Sequence, residues 1–200
     1  SEKELLSLKK SLAHSLNNIG FISQNQGKVK EALEYFSKSL KIWEEIDNKY
    51  GIAYSFNNIG YVYQNQNQNK EALKCYLKSL KLREEIGDKY GIAYSLNNVG
   101  VVYQRENEIE KALECFFKSL KIREELGDKF GIAYSLNNIG AIYQKEGEDS
   151  EALEYFFKSL EIREEIGDKQ GLAESLCNIG LIYQTQGKDN KALTYLLRSL

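Results

Sequence analysis

Hydrophobic residues along this chain recur in two alternating helical patterns. Between Gly51 and Gln64, the residues Ile52, Phe56, Ile59 and Tyr63 fall at i, i+4, i+7 and i+11. That spacing marks one face of a helix, since a strand would alternate every second residue. Downstream, Ala72, Leu73, Tyr76, Leu77 and Leu80 make a second apolar stripe. Both stripes then return. GIAYSFNNIGYVYQ starts at Gly51, GIAYSLNNVGVVYQ at Gly91, GIAYSLNNIGAIYQ at Gly131 and GLAESLCNIGLIYQ at Gly171, with a looser copy, SLAHSLNNIGFISQ, at Ser11. The period is 40 residues, and 25 of the 40 positions in 51–90 are identical in 91–130, so the copies share one fold. A period of this size predicts a stacked array of helical units. The copies divide the chain at about 1–47, 48–87, 88–127, 128–167 and 168–200, the last one shortened, within a single repeat domain over 1–200.

The punctuation between stripes is as regular as the stripes. Gly27, Asn67, Asn107, Gly147 and Gly187 stand where the first helix must end. Gly and Asn are the residues that best tolerate the left-handed conformation closing a helix. Between copies, Gly87-Asp88, Gly127-Asp128 and Gly167-Asp168 predict a helix stop followed by an N-cap. Asp47-Asn48 is a weaker stop at the same place. Inside the first helix, Gly20, Gly60, Gly100, Gly140 and Gly180 recur, each costing about 1 kcal/mol relative to Ala. Ala32, Ala72, Ala112, Ala152 and Ala192 recur in the second. A Gly facing an Ala would let the two axes approach closely.

In the second copy Phe56, Ile59-Gly60 and Tyr63 are followed by Ala72, Tyr76 and Ser79. This pattern, present in all five copies, resembles the tetratricopeptide repeat. The resemblance implies an all-α fold, a right-handed α-solenoid superhelix of antiparallel helix pairs whose first helices line the concave side. Two departures accompany it. The period is 40 residues rather than about 34, and Glu44, Glu84, Glu124 and Glu164 stand where the family has Pro. Both fit a second helix that continues through segments such as KLREEIGDK. The long form is similar to that of kinesin light chains, polarity adaptors and many bacterial signalling proteins.

Composition narrows the function classes. The 27 basic and 29 acidic residues are interspersed, with a net charge of −2, which argues against the basic stripe of a nucleic-acid face. Apolar runs are too short to span a membrane. The chain lacks Pro, the strongest helix breaker, and lacks Met, from which a segment of a longer protein is expected. Cys75 and Cys115 occupy one place in successive copies and Cys177 another. An odd, unclustered set predicts neither a disulfide framework nor a zinc site. These cysteines read as small apolar fillers in a reducing, cytoplasmic setting. His14 is the single histidine, and no phosphate loop, convergent carboxylate pair or metal spacing is present. The expectation is a binding protein without catalytic activity, cofactor or metal.

Placed at 100° steps, the side of the first helix opposite Ile52 and Phe56 carries Tyr54, Asn57, Asn58, Tyr61 and Asn65, the predicted groove wall. One row across copies reads Asn18, Asn58, Asn98, Asn138 and Asn178; its neighbour reads Asn17, Asn57, Asn97, Asn137 and Cys177. A third reads His14, Tyr54, Tyr94, Tyr134 and Glu174, and a fourth Phe21, Tyr61, Val101, Ala141 and Leu181. An Asn amide can donate to and accept from a peptide unit, so such a ladder could hold an extended peptide. The resemblance extends that role to Asn18, Asn58, Asn98, Asn138 and Asn178. Asn58, Asn98 and Asn138 should then lack intramolecular partners. The alternative is that the Asn rows bond neighbouring helices and fix their stacking, and the Tyr row is equally open to ligand contact or helix packing. Chaperone-type members of the family clamp a carboxylate with groove Lys and Arg; here those places hold Asn or Tyr, leaving Arg105 and Lys145 as basic candidates on the wall. The charged KLREEIGDK-type segments read as a solvated ridge. The expected partner is a protein or an extended peptide segment, not nucleic acid or membrane. Alternatives are a self-associating module stacked end to end and a sensor segment of a larger signalling protein.

Overall fold

The computed structural model describes all residues, Ser1–Leu200, as ten α-helices without a strand. They form two compact units, Ser1–Glu106 and Asn107–Leu200. The first holds α1 (Glu2–Asn25), α2 (Val29–Glu45), α3 (Lys49–Asn65), α4 (Asn69–Glu85) and α5 (Lys89–Arg105). The second holds α6 (Ile109–Leu126), α7 (Lys129–Lys145), α8 (Asp149–Ile166), α9 (Lys169–Thr185) and α10 (Asp189–Arg198). Odd-numbered helices carry the first stripe of each repeat and even-numbered helices the second.

Within a repeat the two helices run antiparallel. Ser23 of α1 meets Glu31 of α2, Gly20 faces Phe36, and Ser39 Oγ donates to Ala13 O at 2.8 Å, so numbers fall along one helix as they rise along the other. The turns close as the sequence predicts. Gly27, Asn67, Asn107, Gly147 and Gly187 are left-handed, with φ of 73°, 57°, 61°, 81° and 69°. The backbone N–H of Gln68 returns to Tyr63 O at 2.9 Å and that of Lys28 to Ser23 O at 2.9 Å, the long-loop bond that satisfies a helix's last carbonyls. Asp88, Asp128 and Asp168 each cap the next helix by accepting from the third N–H, and Asn48 does the same for Gly51. The weaker stop holds too: Asp47 takes φ 48°.

In the first unit the core gathers Ala32, Phe36, Ile59, Val62 and Cys75, with Phe56 and Tyr63 packed against it. In the second it gathers Ala152, Phe156, Leu160, Leu176, Ile179 and Ile182. The recurring helix glycine faces a large side chain rather than the expected Ala. A Cβ on Gly60 would lie 2.8 Å from the Tyr76 ring, and one on Gly20 or Gly140 would meet Phe36 or Phe156 as closely. Van der Waals volume is therefore what excludes a side chain there: the ring of the second helix packs directly against the bare backbone of the first. Tyr76 is wholly buried and spends its hydroxyl on Gln64 Oε1 at 2.7 Å; burial pushes its phenol well above the usual range. Burial also raises the Cys75 thiol and pushes that of Cys115 up to about 11, so both remain protonated packing groups at neutral pH.

Candidate functional site

The first helices of the first unit, α1, α3 and α5, expose several aromatic rings. Phe21, Tyr54, Tyr61 and Tyr94 are each 41–55% exposed. With Tyr50 and Tyr90 from the first turns of α3 and α5, three of these rings, those of Phe21, Tyr54 and Tyr94, wall a cavity of about 380 Å³. Its polar lining is Asn57, Asn58, Arg83 and Asp88, and Gly91 completes it. The Tyr row thus faces open space in this unit, and Tyr134 is similarly exposed on α7. Of the varied row, Val101 and Ala141 are half-buried and Leu181 is exposed.

The Asn rows are not free ladders, which corrects the expectation that Asn58 and Asn98 lack intramolecular partners. Asn58 Nδ2 donates to Asn17 Oδ1 at 3.4 Å, Asn98 Nδ2 to Asn57 Oδ1 at 2.9 Å, and Asn178 Nδ2 to Asn137 Oδ1 at 3.2 Å. Asn138 is also engaged within the protein. The row of Asn17, Asn57, Asn97 and Asn137 is buried, whereas Asn58, Asn98, Asn138 and Asn178 stay half-exposed and Asn18 is exposed. The physical reason is pitch: residues 41 positions apart lie side by side on adjacent first helices, close enough for one amide to satisfy the next. The two Asn rows stitch first helix to first helix, and Asn58 of the half-exposed row also lines the aromatic cavity.

Two further expectations change. Arg105 Nη1 donates to Gln64 O at 2.8 Å, and Lys145 Nζ to Asn107 Oδ1 at 2.7 Å. Arg105 thus reaches the C-terminal end of α3, where a cation suits the exposed carbonyls, and Lys145 braces the turn that leads into α6. The KLREEIGDK-type segments are not wholly solvated. Arg83, Arg123 and Arg163 are 6%, 7% and 2% exposed. Arg83 Nη1 pairs with Asp88 Oδ2 at 2.6 Å, Arg83 Nε donates to Ser79 Oγ at 3.3 Å, and Arg123 repeats both bonds. Gly91 and Gly131 make room for these guanidinium groups, which a Cβ would strike. In the first repeat Trp43 takes the place of the Arg, edge-on to His14 at 4.9 Å between centroids.

Sequence reasoning missed Tyr50, Tyr90, Arg83 and Asp88 as groove residues. Their signal is the unit RxxxxDxY, read as Arg83, Asp88 and Tyr90, which hides inside a segment that looks like a charged ridge. No three His, Cys, Asp or Glu residues converge on a possible metal position, and no helix is long and apolar enough to cross a membrane.

A tetratricopeptide repeat family model matches residues 11–85, 51–125 and 131–200. No curated protein sequence matches the chain significantly. Among solved structures, BtubC (BKLC) from P. vanneervenii is similar with a TM-score of 0.85 at 19% identity, over 96% of this chain and 79% of that one. A Podosopora anserina putative kinesin light chain with nearly identical repeats gives 0.74 at 18% identity, over 96% and 94%. A Rap protein complexed with Competence and Sporulation Factor gives 0.81 at 19% identity, over 94% of this chain and 53% of that one. Such identities establish the fold and nothing finer. With the family match across nearly the whole length and the helix pairs in place, the chain belongs to the tetratricopeptide repeat family.

Proposed function

We propose that this chain is a protein- or peptide-binding scaffold, and that its ligand lies along the first helices of the Ser1–Glu106 unit. The observation that carries this reading is the aromatic cavity itself. Tyr50, Tyr54, Tyr90 and Tyr94 expose large ring areas around buried polar groups, and exposed tyrosines beside desolvated hydrogen-bonding groups are what protein interfaces concentrate. The Rap protein solved with Competence and Sporulation Factor lends the same fold as precedent. Asn18, Asn58 and Asn98 front the groove, and in the second unit Tyr134, Asn138 and Asn178 are their equivalents. The reading makes the chain a scaffold rather than a catalyst; the Arg83–Asp88 pair in the cavity wall ties Arg83 to the residue that caps α5.

The test is selection from a randomised peptide display library on the whole chain, followed by affinity measurement with the Tyr54→Ala/Tyr94→Ala double variant. Ala is the better helix former, so the melting temperature should change little. Affinity should fall at least about tenfold, since tyrosines at such centres each contribute about 2 kcal/mol or more. Recovery of no binder, or unchanged affinity in the double variant, would contradict the proposal.

A further inference from the structure

In the last repeat Glu174 stands where earlier copies hold Tyr54 and Tyr94. Its carboxylate is gripped inside the second unit by two donors. Arg163 Nη2 donates to Oε2 at 3.1 Å, and Asn137 Nδ2 donates to Oε1 at 3.2 Å. Two periods earlier the same three places are Arg83, Asn57 and Tyr94, and all three line the aromatic cavity. Arg83 and Asn57 are 6% and 5% exposed, yet the corresponding donors are unspent. Asn57 uses its oxygen, accepting from Asn98, and Arg83 uses Nε on Ser79 and Nη1 on Asp88. Neither Asn57 Nδ2 nor Arg83 Nη2 is among the side-chain atoms buried without a hydrogen-bond partner. The second unit therefore shows what this pair of donors takes, and in the first unit the same two residues line a cavity walled by Tyr94 and its aromatic neighbours.

We infer that the first unit carries a carboxylate-binding site, in which a ligand carboxylate sits between Arg83 Nη2 and Asn57 Nδ2 as Glu174 does in the second unit. The inference rests on the groove reading above and adds the ligand's chemistry: an acidic peptide group flanked by apolar surface that packs on Tyr54, Tyr90 and Tyr94. Asp88 does not forbid a second carboxylate. Around Arg163, Asp168 lies 3.9 Å from Nε while Glu174 binds Nη2, and a guanidinium offers five N–H donors. Asp88 is also committed to the Gly91 N–H at 3.0 Å. The first repeat has no such site, because Trp43 replaces the Arg.

The experiment titrates the whole isotope-labelled chain with three small probes while following the Arg83 Nε–H and Asn57 side-chain amide signals by NMR. N-acetylphenylalanine presents a terminal carboxylate, the α-amide of N-acetylaspartate a side-chain carboxylate, and N-acetylphenylalanine amide neither. Saturable shifts of both signals with at least one acid, and at least tenfold weaker response to the neutral amide, are expected; the tighter acid identifies the source of the carboxylate. Tyr94→Glu recreates the arrangement of the second unit, so it should keep its melting temperature and lose the response tenfold or more. Glu174→Tyr should instead add a like response at Arg163 and Asn137. No shift with either acid, or equal shifts with the neutral amide, overturns the site. Peptides selected without any acid response would remove the carboxylate site alone, whereas acid binding without any selected peptide would remove the scaffold reading alone.

Discussion

Asn98 ties α5 to α3 through its side-chain amide. Its Nδ2 donates to the buried Asn57 Oδ1 at 2.9 Å, which leaves its own oxygen on the half-exposed side. Replacing Asn98 with Ala would improve helix propensity by less than about 0.7 kcal/mol. It would also strand the Asn57 oxygen in a buried place, at a cost of about 1–3 kcal/mol. Asn98→Ala should therefore lower stability by about 1–2 kcal/mol, as read by urea unfolding of the whole chain. A neutral or stabilising effect would return Asn98 to the role of an unpartnered groove group. The thiols offer a second check at this scale. Burial, with the Glu114 charge adding to it, holds the Cys115 pKa near 11, and the thiolate is the reactive form. Alkylation of Cys115 by iodoacetamide at neutral pH should be slower than that of free cysteine, and a rate matching the free amino acid would contradict its half-buried placement.

Two helix-level devices explain why the repeats are so alike. The first is the bare backbone of the first helix under the ring of the second. Gly60→Ala would place a Cβ 2.8 Å from Tyr76, and overpacking of this kind costs about 1–3 kcal/mol, which outweighs the roughly 1 kcal/mol that Ala gains in a helix. The expected result is a lower melting temperature, against the rise that propensity alone dictates. The second device is the left-handed stop. Asp47 adopts φ 48° where later repeats place Gly87, Gly127 and Gly167. Asp47→Gly should stabilise the chain by up to about 1 kcal/mol, and a loss of stability would show that the Asp side chain matters to the turn. The two devices differ in how far the sequence reveals them. The stops were legible because a left-handed position restricts residue type directly. The glycine's neighbour was not, because recurrence at 40-residue intervals shows that a small residue is required without showing which side chain covers it; the structure gives Phe36, Tyr76, Phe156 and Leu196 in place of the alanines.

For the whole molecule, the period and the two hydrophobic stripes carry nearly all of the fold, because within each unit successive repeats bury the same stripe. The site was legible only in part. Tyr54 and Tyr94 were placed on the open side by helical phase, but phase alone put Asn57 beside them as an exposed group, whereas a neighbouring helix covers it. Arg83 was hidden for a different reason: a charged residue in a charged segment reads as solvated until the Asp88 cap and Gly91 draw it inward. The central claim is that ligands occupy the aromatic face of the first helices. Its most direct test is NMR mapping of a library-selected peptide on the isotope-labelled whole chain, with the ring signals of Tyr50, Tyr54, Tyr90 and Tyr94 compared with those of Leu77, an exposed apolar residue of α4. The account predicts saturable shifts of the four tyrosines with Leu77 unmoved; shifts at Leu77 with the tyrosines unchanged would contradict it.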